Sequence, residues 1–341
     1  MTKGRNEFVD LIRGVAMLMV VFWHTMTGST KGYEYSLLTN IIWSLQMPLF
    51  ILISGYVTRY SKELKTIGEL LKFFLKRTTA YLLPFAIWSF LIRGLILGQS
   101  NFLNIKYMLW HTDSGYWFLI TIWTISVIFG IANFVSSKIK NTILGKQALL
   151  LLVYICGMAV LGIIGYFVGM SFLGIKLTLY YMPLYFSGYV YGQYRDRIFS
   201  LSFGKRTVDI IVAVCLAVWI FSLTRFNLFT LADGGKNIII RAAVSLFGCI
   251  AVCGLLKGAF SKTERGGALL CLAGAHSIEI YLVHYLFLNL VKTANSTPVF
   301  SIKGMFLTIL NFAITLFATM VTIMLTNSNR TLHFCLYGKK K

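Results

Sequence analysis

The chain of 341 residues is 57% hydrophobic and 13% charged, with a formal net charge of +21. That charged share is about half the ~25% of soluble domains, and a soluble fold of this length could not bury so much apolar surface. A soluble globular protein is excluded. The positive charge fits basic residues gathered in the cytoplasmic loops of a membrane protein, so no nucleic-acid partner is expected.

Ten apolar stretches of about 17–25 residues fit transmembrane helices. They cover 8–27, 38–58, 79–98, 116–135, 147–168, 177–194, 207–224, 238–256, 268–290 and 303–325. The first carries Asp10, Arg13 and His24. The eleven residues from Arg13 to His24 make nearly three helical turns, so both lie on one stripe, about 16 Å apart. Asp10 joins that face three residues before Arg13. Lipid cannot solvate such a line, so it must face protein or water, with a titratable imidazole at its far end.

The second and sixth spans contain similar segments, Gln46-Met47-Pro48-Leu49-Phe50 to Ser54-Gly55-Tyr56 and Tyr181-Met182-Pro183-Leu184-Tyr185 to Ser187-Gly188-Tyr189. Proline kinks a helix, and a Ser-Gly pair admits a close neighbour. Tight helix packing is the simpler reading of both, and a narrow channel lining is the alternative.

Arg93 near the end of the third span and Arg241 near the start of the eighth fall in the outer half, where snorkelling to headgroups is equally available. His111 and Asp113 precede Trp117 at the mouth of the fourth span, in a loop that is polar by default. In the ninth span, His276 and Glu279 share one face, and Tyr281 and His284 share another. A carboxylate at the depth of Glu279 is costly unless neutral or paired. His276 reads as structural, and His333 beyond the last span as incidental.

Loop charges orient the chain. Of the 32 basic residues, 22 fall at the termini and in even-numbered loops and 7 in odd-numbered loops, with Arg13, Arg93 and Arg241 inside spans. The fold expected is therefore an all-α integral membrane protein, a bundle of about ten transmembrane helices with both termini cytoplasmic. It forms a single membrane domain over 1–341. The first stretch lacks a signal-peptide cleavage pattern. The six cysteines, without a CxxC pair, suggest neither disulfides nor a metal site.

The segment Phe8-Val9-Asp10-Leu11-Ile12-Arg13-Gly14 with His24 resembles the opening of the membrane acyltransferase-3 family. The likeness continues in the Met47–Tyr56 stretch, Trp117-Phe118-Leu119, Tyr185–Tyr189 and Ser277-Ile278-Glu279-Ile280-Tyr281-Leu282-Val283-His284. It is similar in flavour to fucose 4-O-acetylase-like and other surface-polysaccharide O-acetyltransferases of bacteria. One departure stands out: Tyr81 occupies a place where many members carry a second arginine after Arg77.

The resemblance implies transfer of an acetyl group from cytoplasmic acyl-CoA to a sugar hydroxyl of a lipid-linked or growing glycan, in a bacterial plasma membrane and without a fused extracytoplasmic domain. Acetyl-CoA is a co-substrate and no cofactor or metal is implied. The catalytic expectation rests on His24, Arg13 and Asp10, with Asp10 positioning Arg13. His24 serves either as general base for the hydroxyl or as the group that takes the acyl. Arg13, Lys72, Lys76 and Arg77 are placed for the donor's phosphates, and Arg93, Trp117, Arg241, Glu279 and His284 for the acceptor. A proton-coupled secondary transporter is the rival class, since embedded His, Glu and Arg suit it too. Its matching inverted halves are not visible.

Overall fold

A computed structural model describes residues 6–112, 115–139, 143–200, 204–231, 234–260, 267–292 and 297–339. Asp113 lies outside them. Helices dominate, and no strand occurs among the described residues beyond an isolated bridge between Lys31 and Pro298. The helices are α1 (Glu7–Ser29), α2 (Leu37–Val57), α3 (Ile67–Ala86), α4 (Ile105–Trp110), α5 (Trp117–Ser136), α6 (Ile143–Val168) and α7 (Ile175–Ser200). They continue with α8 (Gly204–Arg225), α9 (Gly235–Phe260), α10 (Gly267–Ala275), α11 (Ser277–Val283), α12 (Ile302–Thr326) and α13 (Arg330–Tyr337).

Eight segments among the described residues are long and apolar enough to cross a membrane, and a ninth if the bent pair α10–α11 counts as one. The expected sixth span, 177–194, does lie on a helix. However, α7 takes in Lys176, Arg195, Asp196 and Arg197 and does not belong to those eight.

The chain divides into two compact units. One comprises Met1–Arg59 and Leu184–Leu325, the other Tyr60–Pro183 and Thr326–Lys341.

In the first unit α1 packs on α2, α10 and α11, while α2 also meets α9. α1 and α10 meet closely at two glycines. A Cβ on Gly14 would overlap the Leu270 carbonyl, and one on Gly274 would overlap the Asp10 carbonyl. Small residues thus let two membrane helices touch backbone to backbone. The similar segments in α2 and α7 do the same to each other, since a Cβ on Gly55 would meet the Tyr185 carbonyl and one on Gly188 the Leu52 carbonyl. Ser54 donates to its own helix at Phe50 (2.7 Å), leaving the glycine as the contact surface. Tight packing is what these segments perform. On its other face α1 buries Trp23 and Met26 with Ile42 and Val299.

The expected ninth span, 268–290, is not a continuous helix. It bends by 68° between α10 and α11 and passes into a short 3-10 turn at His284–Leu286. No proline is involved. At the break, His276 has φ −103° and ψ 22°, next to the Gly274 that is held against α1.

In the second unit α3 packs on α5 and α13, and α5 on α6. Here α3 starts at Ile67, twelve residues before the expected span. Thr66 and Glu69 form a reciprocal capping box: the Glu69 amide donates to Thr66 Oγ1 at 3.2 Å, and the Thr66 amide to Glu69 Oε2 at 3.0 Å. Two otherwise orphaned amides are satisfied there, which fixes the helix start. Lys72, Lys76 and Arg77, expected in a loop, are therefore helical. After Pro84 the helix loosens into a π-helix at Ile87–Ile96, as a missing N–H and ring clash allow. His333 is buried in this unit, its Nδ1 donating to the Lys339 carbonyl at 3.0 Å. Its ring packs edge-on against Tyr337 of the same helix, 5.2 Å away.

Candidate functional site

The sequence candidates fall in both units. Asp10, Arg13, His24, Arg241, Glu279 and His284 belong to the first, and Lys72, Lys76, Arg77, Arg93 and Trp117 to the second.

In the first unit, α1 begins at Asn6, whose side chain accepts from the Phe8 and Val9 amides at 3.1 and 3.3 Å. Asp10 is buried, while Arg13 and His24 are half-buried. The side-chain partners of His24 are Tyr285 and His284. Tyr285 Oη lies 3.0 Å from His24 Nε2, and the two rings are 4.9 Å apart. The His24 and His284 rings are 5.4 Å apart, and those of His284 and Tyr285 are 4.2 Å apart. Three polar rings thus converge at the far end of the α1 stripe, with Tyr281 6.2 Å from His284. Among the described residues, no hydrogen bond or ion pair joins His24 to Arg13, Asp10, Arg241 or Glu279.

His284 is fully buried. Its Nδ1 is 2.9 Å from the Ile280 carbonyl, to which it must donate, and its Nε2 meets no hydrogen-bond partner among the described residues. A buried acceptor left without a donor costs about 1–3 kcal/mol.

A polar clamp holds this cluster. Ser29 at the end of α1 donates to Asn289 Oδ1 at 2.8 Å and accepts from Asn311 Nδ2 at 3.0 Å. Asn311, on α12, also donates to the Val291 carbonyl and accepts from the Val291 amide, both at 3.0 Å. Thr315 donates to the Phe287 carbonyl at 2.9 Å. Asn289 has φ +56°, a left-handed conformation that asparagine tolerates better than most residues. A Cβ on Gly28 would overlap its side-chain amide. The turn that carries Tyr285 is thereby fastened to the helix that carries His24.

Glu279 is buried in the first turn of α11, with its Oε1 3.8 Å from His276 Nδ1. His276 and Glu279 therefore face each other as the three-residue spacing expects, across the break itself. Arg241, at the start of α9, donates to the Leu231 carbonyl in the preceding connection.

In the second unit, Lys72 and Lys76 are exposed along the first turns of α3. Arg77 is half-buried over the Phe73 ring, 5.0 Å away, and its Nη1 donates to Tyr81 Oη at 3.4 Å. The tyrosine that stands in the expected place of a second arginine is thus a neighbour of the first. Arg93 lies 4.0 Å over the Phe102 ring and donates from Nε to Gln99 Oε1 at 2.9 Å. Trp117 stacks on Tyr181 at 5.7 Å with planes 14° apart. His111 stacks on Tyr107 at 4.5 Å.

Chemically, the first unit offers two imidazoles and a phenol able to move a proton, and the second offers exposed cations and a stacked aromatic face. Tyr285, Ser29, Asn289 and Asn311 were not among the candidates that sequence reasoning selects. Only Tyr285 had a nearby signal, adjoining His284.

A family model described as an acyltransferase domain matches residues 6–327. No curated protein and no solved structure matches the chain.

Proposed function

Given that the chain belongs to the membrane acyltransferase-3 family and is a membrane acyltransferase, we propose that it moves an acetyl group from acetyl-CoA to a sugar hydroxyl of an exported or cell-surface glycan in a bacterial plasma membrane. The observation that carries this reading is the His24–Tyr285–His284 cluster. Ester formation from a thioester must take a proton from a hydroxyl and give one to a departing thiolate, and imidazole does both near neutral pH.

Other features support the remaining parts. The donor is a polyanion, and Lys72, Lys76 and Arg77 form a basic helical stretch suited to phosphates, with Arg13 on the α1 stripe. Trp117, half-buried and braced by the buried Tyr181 on which it stacks, offers an indole ring for a sugar, and Arg93 and Arg241 offer hydroxyl-binding donors. The loop charges favour cytoplasmic termini, which puts His24 toward the outer side and the donor inside. In this reading the acceptor, lipid-linked or growing, is approached from the extracytoplasmic side.

The test is purified protein with radiolabelled acetyl-CoA and candidate polysaccharides. Covalent label in the polymer is the expected result; transport of a solute without covalent transfer would instead identify a carrier. Sealed inside-out vesicles then address sidedness. Acetyl-CoA added outside should acetylate an acceptor confined to the lumen, and acetylation only of an impermeant acceptor on the CoA side would reverse the orientation.

A further inference from the structure

The two imidazoles of the cluster are not equivalent. His284 Nδ1 sits 2.9 Å from the Ile280 carbonyl. A carbonyl oxygen has no proton to give, so Nδ1 carries the hydrogen. In the neutral ring Nε2 is then a lone-pair nitrogen. It is fully buried, and no donor among the described residues reaches it. His24 is different, because its Nε2 is already shared with the Tyr285 hydroxyl at 3.0 Å and either atom can be the donor.

Native interiors seldom leave a buried acceptor without a donor, and the exceptions call for a functional account. A space-filling role for His284 explains its burial and the Nδ1 bond. It leaves Nε2 unexplained. The ring is also 5.4 Å from that of His24, close enough for both to address one reacting centre.

Building on the acyl-transfer reading above, we infer that His284 is a second catalytic residue, whose Nε2 takes the proton of the acceptor hydroxyl. The hydroxyl oxygen bonds to the thioester carbonyl carbon and the carbon–sulfur bond breaks. The proton passes from the hydroxyl to His284 Nε2 and then to the sulfur, which leaves as the thiol of CoA. Atoms and charge balance without a co-reactant, and the imidazole returns neutral. While the ring is positive, the Nδ1–H bond to the Ile280 carbonyl stabilises it, as an orienting acceptor does for a general-base histidine. Tyr285 is a positioning residue for His24.

The experiment uses the purified full chain with acetyl-CoA and two nucleophiles. Glycerol is an alcohol that needs a base, and hydroxylamine attacks thioesters without one. His284→Gln keeps a polar group of similar size but cannot accept a proton. The expected result is a fall in kcat of about 100-fold or more with glycerol, with hydroxamate formation within about threefold of wild type and an unchanged KM for acetyl-CoA. His284→Asn is measured beside it. The base role is overturned if neither variant separates the two nucleophiles. Wild-type protein that yields neither ester nor hydroxamate overturns the acyl-CoA reading and the base role with it. Wild-type transfer combined with equal losses toward glycerol and hydroxylamine in each variant overturns the base role alone.

Discussion

The last turns of α1 and the first turns of α3 carry the two kinds of polar residue that the proposed reaction requires, and they hold them in opposite ways. His24 is hydrogen-bonded to Tyr285, packed against His284 and backed by the Ser29–Asn289–Asn311 clamp. Lys72 and Lys76 stand exposed, and Arg77 rests on Phe73 and Tyr81 of its own helix. Proton transfer depends on atoms held within tenths of an ångström, so its groups are fixed from several elements. Attraction of a polyanion depends on charge and reach, which a helix surface supplies without further support.

If that contrast is right, substitutions at the two places should differ in size and in kind. His24→Ala should lower kcat for acetyl transfer about 10²–10⁴-fold and leave acetyl-CoA binding intact; near-normal turnover would remove His24 from the mechanism. Gly274→Val attacks the support behind the cluster, because its side chain would meet the Asp10 backbone. We expect about 1–3 kcal/mol of destabilisation, the usual scale of overpacking, seen as a lower thermal midpoint in detergent. An unchanged midpoint would mean that α1 and α10 are not held this closely.

Tyr285→Phe keeps the ring and deletes one hydrogen bond. A bond of that kind contributes about 0.5–1.5 kcal/mol, so kcat should fall about tenfold or less with the KM for acetyl-CoA unmoved. The smallest effect belongs to α3. Arg77→Ala should raise the KM for acetyl-CoA several-fold, on the order of 1 kcal/mol, and the gap to wild type should close as salt rises. A salt-independent defect would place Arg77 in a buried contact and erase the contrast.

Much of the first region was legible before any fold was known. The Asp10–Arg13–His24 stripe needs only helical periodicity, and the paired Pro and Ser-Gly segments needed only their composition to suggest close packing. Tyr285 was not legible, because its contact with His24 spans 261 positions and no local pattern marks it. The same holds for Asn311, which closes on Ser29 across 282. The break at His276 was hidden for another reason. Residues 268–290 are apolar enough on average to read as one span despite His276, Glu279 and His284, and the bend falls two residues after the Gly14–Gly274 crossing, a tertiary contact. The early start of α3 differs again, since Thr66 and Glu69 carried the capping signal openly. Hydropathy weighs residues 67–78 by their lysines and arginine, and so trims a helix that its cap had already begun.

The bend at His276 also bears on how the protein meets membranes of unequal thickness. A straight spanning helix answers a thicker or thinner bilayer by tilting, and its side chains move with it. Here α10 has nine residues, about 13 Å of helix, and α11 departs from it at 68°. α10 is joined to α1 backbone to backbone, and the turn after α11 is tied to the end of α1 by side-chain amides. The depth of His284 is thus referenced to α1 rather than to the length of its own segment. Lipid chain length can change around the cluster while the spacing of the two imidazoles stays the same.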